Sequence, residues 1–137
     1  MSEHRQLFLA FTKMQRLYIK RLNERLESLN VSYAQWSVLY YIYSNGPHTI
    51  SEIAKHQDVE KPTISKVVQK LDEYGYVTGV QGEDKRVKRV TLTPKGQQNC
   101  EAVDAHLGAY QQSLAEGFNE EEQAFVRQFI ESVTAKL

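Results

Sequence analysis

One cysteine in 137 residues leaves nothing for an internal disulfide. Cys100 therefore stands alone, in a chain with only three prolines and seven glycines. The glycines form no phosphate-cradling loop. A nucleophile elbow and an HExxH helix are also missing. The four histidines, His4, His48, His56 and His106, fall at no metal-ligand spacing. These absences argue against an enzyme, and no cofactor and no metal are expected. Long apolar runs are missing too. Ser28 to Ser51 lacks Asp, Glu, Lys and Arg, yet Asn30, Ser32, Gln35, Ser37 and Asn45-Gly46-Pro47 interrupt it, so no membrane span is expected. The opening Ser2-Glu3-His4-Arg5 is unlike a signal peptide. A cytoplasmic chain is the expectation.

Net charge is missing as well, with 17 Lys and Arg against 17 Asp and Glu. A zero balance speaks against nucleic acid until its distribution is read. Residues 1–30 carry six bases and three acids, residues 51–95 nine and seven, and residues 96–137 two and seven. Between 85 and 95 stand five bases and no acid.

What is present is helical periodicity. A first helix is predicted from Ser2 to Leu29, with Leu7, Phe11, Met14, Tyr18, Leu22, Leu26 and Leu29 in one stripe. Its length exceeds what a small core needs, so a second element must cover the surplus. Ser32 to Gln35 reads as a capping box, with Val31 and Trp36 as its hydrophobic staple. The helix it opens ends at Asn45-Gly46-Pro47. Thr49 to Glu52 is a second capping box, and Asp58 sits where a left-handed residue is needed. The next helix, from about Lys61 to Tyr74, would bury Ile64, Val67, Val68 and Leu71. It would expose Lys61, Thr63, Ser65, Lys66, Gln69 and Lys70. Gly75 ends it.

Tyr76 to Gln81 and Val87 to Leu92 read as two strands around a turn at Gly82 to Arg86. Thr93 caps a further helix with Pro94 at its first position. In that helix Cys100, Val103, Leu107, Tyr110 and Leu114 repeat as a seam. Asn119 to Glu122 caps a last helix, with Phe125, Phe129, Ile130, Val133 and Leu137 on its stripe. The expected fold is mainly α: a winged helix-turn-helix with a two-stranded β wing and long terminal helices. Residues 31–96 would form the lobe, and residues 1–30 and 97–137 the dimerisation helices.

Two short helices around a tight turn, then a basic hairpin, make a DNA-reading arrangement. The second helix suits the major groove; the tip, with Asp84, Lys85, Arg86 and nearby Lys88, suits the backbone or the minor groove. Lys66 and Gln69 have the reach and the donors for base edges. Thr63 and Ser65 sit nearer the helix N-terminus, where free backbone N–H groups favour phosphate. The plain alternative is a solvated helix face and a surface Asp–Arg pair worth under about 1 kcal/mol. A winged-helix module that docks on protein is the competing class, although it would not need the charge of Lys85 to Lys95.

Thr49-Ile50-Ser51-Glu52-Ile53-Ala54, Val59 to Ser65 and Lys70 to Val77 resemble the MarR family of bacterial transcription regulators. Asp84-Lys85-Arg86 and Leu92-Thr93-Pro94-Lys95-Gly96 look like that family's D-x-R and L-T-x-x-G signature. The resemblance covers essentially the whole chain. It implies a homodimer on a pseudo-palindromic duplex, acting as a repressor that a small ligand or an oxidant relieves. Leu7, Phe11, Phe125, Phe129 and Val133 would then line the dimer interface. Two positions depart from the family pattern. Glu60 stands where Ser, Thr or Asp commonly caps the recognition helix, and Gly79 where Arg is frequent.

The resemblance also bears on the aromatics and on Cys100. Tyr18, Trp36 and Tyr40, with Tyr33 and Tyr43, read as core where the first two helices meet. The family adds the alternative that some of them line a pocket for a small aromatic ligand. Some members sense oxidants through a thiol near the N-terminus. Cys100 lies instead on a helix seam and reads as buried and inert.

Overall fold

The computed structural model describes residues 1–79 and 88–137. Asp84, Lys85, Arg86 and the hairpin turn predicted around them lie outside the described residues. The chain divides into two compact units, Met1–Val103 and Asp104–Leu137.

In the first unit, α1 spans Glu3–Glu27 and α2 Tyr33–Asn45. Leu22 and Leu26 of α1 are fully buried, while Leu7, Leu9, Phe11 and Met14 of the same helix stand exposed. The predicted stripe therefore splits into a core half and an uncovered half. The helix stops two residues before the predicted Leu29, and Asn30 turns the chain with φ 62°. Ser32 and Gln35 close their capping box, and the staple partners Val31 and Trp36 are both buried.

Next, β1 (His48–Thr49) leads into α3 (Ile50–Gln57) and α4 (Lys61–Glu73). Thr49 and Glu52 exchange hydrogen bonds at the start of α3. Asp58 leaves α3 in the left-handed region, at φ 54° and ψ 46°. Its N–H and that of Val59 return to the Lys55 and Ala54 carbonyls, which closes the helix end. Glu60 gives α4 no side-chain cap, in keeping with its poor capping chemistry. Ile64, Val68 and Leu71 bury one face of α4, while Val67 is only half-buried.

The sheet has three strands rather than the expected two. β3 (Arg89–Leu92) lies between β1 and β2 (Val77–Thr78), antiparallel to both. His48 faces Val90, and Thr49 faces Arg89. A two-residue strand after a proline carries no alternation to read. Its pairing partner, 40 residues downstream, defines it. Both wing strands are shorter in the described residues than the sequence suggested.

α5 (Pro94–Leu114) begins beside the end of α4. Gly75, at φ 79°, and Tyr76 return their N–H groups to the Asp72 and Leu71 carbonyls, closing α4. The Tyr76 carbonyl then accepts from the Thr93 N–H, and the Thr93 hydroxyl donates to the Gly75 carbonyl. The same hydroxyl oxygen accepts from the Gly96 N–H and so caps α5. Gly96 must be glycine: a Cβ there would lie 2.0 Å from the Tyr76 carbonyl oxygen. Cys100 and Val103 of the seam are fully buried.

In the second unit, Gly117 turns the chain at φ 93°, and Asn119 and Glu122 box the start of α6 (Glu120–Thr134). α6 buries none of its residues in the single chain, and Phe125 is 72% exposed. No helix among the described residues is long and apolar enough to cross a membrane.

The Gly96–Tyr76 approach yields a stability test. Gly96→Ala overpacks a backbone-to-backbone contact and should lower the urea unfolding free energy by about 2 kcal/mol. An unchanged midpoint would show that α5 does not need this approach.

Candidate nucleic-acid interface

α4 presents a polar face because its apolar residues are spent on the core. Lys61, Thr63, Lys66, Gln69 and Lys70 are exposed on it. Ser65 is the exception. It is half-buried, one residue from Ile64 at the core edge, so the fully outward position expected for it is corrected. Lys61 and Lys66 meet no carboxylate at ion-pair distance among the described residues. Lys70 lies 3.5 Å from Glu73 and 5.9 Å from the centre of the Tyr74 ring. That exposed pair is weak and leaves the ammonium free to exchange partners.

The basic run at 85–95 is less uniform than its composition suggests. Lys88 is exposed at the near end of β3. Arg89 is turned back: its Nη1 lies 3.5 Å from Glu52 Oε1 and 3.5 Å from the Pro47 carbonyl oxygen. The pair joins the central strand of the wing to the first turn of α3. The Glu52 carboxyl is held below the usual carboxylate range, first by the Thr49 backbone N–H and its side chain, then by Arg89 and His48. Lys95 is also committed. Its Nζ donates to the Tyr74 carbonyl at 2.8 Å and lies 5.3 Å from the centre of the Tyr76 ring. Sequence reasoning counted Arg89 and Lys95 only as charge. Their roles depend on carbonyls 42 and 21 residues away, which no local pattern shows.

Gly79 occupies the position where the family often has arginine. It sits at φ 77°, and a Cβ there would come within 2.4 Å of the Arg89 carbonyl oxygen. The missing arginine thus has a backbone cause, since any side chain would force the strand pair apart.

The aromatic cluster separates. Trp36 is buried, with 7% of its surface exposed, whereas Tyr40 is 46% exposed. The reading of Tyr40 as core is therefore corrected. It lies on the α2 surface, its ring 5.4 Å from Trp36 and 6.4 Å from Tyr43. Trp36, Tyr40, Tyr41 and His56 line an open depression of about 510 Å³. Tyr18 is not among its lining residues, so the expected trio does not meet in one place. Tyr41 stacks on His56 at 4.2 Å and meets His48 at 4.8 Å. Cys100 is fully buried, as its seam position suggested. No group of three or more metal-binding side chains occurs among the described residues.

Residues 31–96 match the model of a winged helix DNA-binding domain. The HTH-type transcriptional regulator YwoH of Bacillus subtilis is 35% identical over 119 residues, which is 87% of this chain and 87% of the relative. A Staphylococcus aureus MarR, solved in complex with salicylate and kanamycin, superposes with a TM-score of 0.87 at 30% identity, covering 96% of this chain and 89% of that one. The chain belongs to the MarR family of transcription regulators. Residues 31–96, which include α4, form its winged helix DNA-binding domain. The S. aureus MepR–DNA complex shares the fold, with a TM-score of 0.82 at 22% identity over 93% of this chain and 95% of that one.

Proposed function

We propose that this MarR-family regulator is a cytoplasmic repressor. It would bind a pseudo-palindromic DNA operator as a homodimer and release it when a small aromatic ligand binds. The observation that carries the reading is the polar face of α4, set outward by Ile64, Val68 and Leu71. Lys66 and Gln69 read base edges in the major groove. Lys61, Thr63 and Lys70 meet phosphates, with Ser65 at the margin of that face. Lys88, and beyond it Asp84, Lys85 and Arg86, complete the contact through the wing. Arg86 enters the minor groove, with Asp84 orienting its guanidinium. MepR was solved on DNA, which supports the same use of this fold.

Gel shifts against duplexes selected from a random pool test the division of labour. Gln69→Ala should relax preference at one base pair and cost about 1–3 kcal/mol there. Lys88→Ala should weaken all duplexes alike and reduce the salt slope by about one. Equal, sequence-independent losses in both variants would contradict base reading by α4.

A second copy of the chain is the proposed cover for the apolar side chains left open. Leu7 and Phe11 in one unit, and Phe125 and Phe129 in the other, are between 40 and 72% exposed, with Val133 half-buried beside them. Exposed apolar side chains in stripes of this kind, one on each unit, mark interfaces. Sedimentation should give a dimer at micromolar concentration. Phe129→Asp should shift it toward monomer by burying an unpaired carboxylate. A monomeric wild type would refute the proposal.

The depression at Trp36 and Tyr40 is the proposed effector site, with rings for an aromatic acid to pack against. The salicylate bound by the S. aureus MarR makes salicylate the first probe. Salicylate should weaken DNA binding in the wild type and do so less in Tyr40→Ala, at equal affinity without ligand. Equal loss of both would return Tyr40 to a packing role. Control through Cys100 is not part of this reading, because burial disfavours its thiolate.

A further inference from the structure

A second depression, of about 610 Å³, lies behind the C-terminal end of the recognition helix. Glu27 of α1, Asn30, Gln35 of α2, Tyr74, Tyr76 and Lys95 are among its lining residues. It shares no lining residue with the Trp36–Tyr40 depression. Its charges are one of each sign. Glu27 is exposed at one wall, with no cation at ion-pair distance among the described residues. Lys95 is at another wall, where its ammonium spends one N–H on the Tyr74 carbonyl and keeps two for other acceptors. Asn30 is exposed, its backbone in the left-handed region. Gln35 has its amide oxygen committed to the Ser32 N–H, which leaves its NH₂ group to donate. Tyr74 and Tyr76 meet edge to face with centroids 5.8 Å apart and supply an apolar wall.

We infer that this depression binds a small zwitterion, an apolar α-amino acid, with its carboxylate on Lys95 and its ammonium on Glu27. A simple anion would meet the Glu27 carboxylate unpaired, and a simple cation would meet Lys95. Both side chains are exposed, and a ligand carrying both charges pairs with both walls at once. The site is joined to DNA reading through Lys95. That ammonium sits on the Tyr74 carbonyl at the C-cap of α4, where a cation complements the helix dipole. A carboxylate that draws it away loosens the end of the recognition helix and the start of β2. The ligand then lowers DNA affinity by the difference in its preference for the two arrangements.

Calorimetry on the DNA-free protein, with L-leucine and L-phenylalanine as probes, tests the site. Saturable binding is expected for at least one of them, weakened about tenfold or more in the exposed-site variant Glu27→Gln. The half-molecules of leucine, 4-methylpentanoate without the ammonium and isoamylamine without the carboxylate, should bind at least as weakly. No saturable binding of either amino acid overturns the proposal. So does binding unaffected by Glu27→Gln, or 4-methylpentanoate binding as tightly as leucine. The link to α4 rests on the proposed DNA reading and has its own measurement: the amino acid should weaken a gel shift of the wild type and leave that of Glu27→Gln unmoved. A protein that binds the amino acid but no DNA would refute the DNA reading and leave the site standing. A protein whose DNA affinity ignores a bound amino acid would overturn the coupling.

Discussion

The meeting of Tyr74-Gly75-Tyr76 with Thr93-Pro94-Lys95-Gly96 is the constraint on which the DNA-binding lobe depends. One short segment ends α4 and starts the wing; the other ends the wing and starts α5. Three hydrogen-bond donors, the Thr93 N–H, the Thr93 hydroxyl and the Lys95 ammonium, cross to three successive carbonyls. Gly96 permits the approach by lacking a Cβ. These groups fix where α4 stops relative to where β3 returns. The polar face of α4 and the strand that carries the wing therefore share one anchor. The Leu-Thr-x-x-Gly signature of the family has a physical content here: a hydroxyl that both caps a helix and closes a neighbour, then a residue with no side chain.

Much of this was readable in advance because it is local. Ser32 with Gln35, Thr49 with Glu52, and Asn119 with Glu122 each close a capping box four residues long. Asp58 was identifiable as left-handed because a tight turn between two helices demands it. The core faces of α3 and α4 followed from 3.6-residue spacing, whereas α2 buries Val38 and Ile42 beside Trp36 and Leu39. What escaped was non-local. β1 exists only through its pairing with β3, and Tyr40 is exposed because α2 turns its ring away from the core. Arg89 and Lys95 looked like free positive charge, yet each meets a carbonyl far away in the chain. The family resemblance supplied the candidate interface, and the structure shows how the outward face of α4 is held.

The two ends of the chain behave differently from its middle. Leu22 and Leu26 of α1 complete the lobe's core, whereas Leu7 to Met14 on the same helix cover nothing within their own unit. α6 has a capped start and an amphipathic stripe, yet none of its residues is buried. Local signals therefore specify both helices more fully than the single chain uses them. A second copy would use that surface, and two lobes held at a set spacing would turn a weak half-site contact into a selective one. Ligands that favour another spacing, or another setting of α4, then have a means of control.

The central claim is that α4 reads DNA from a two-fold assembly. Hydroxyl-radical footprinting of the protein on a duplex selected from a random pool measures this directly. Two protected patches related by a dyad are expected, about one helical turn apart, with outer protections that disappear in Arg86→Ala. A single protected patch, or no protection on any selected duplex, would contradict it.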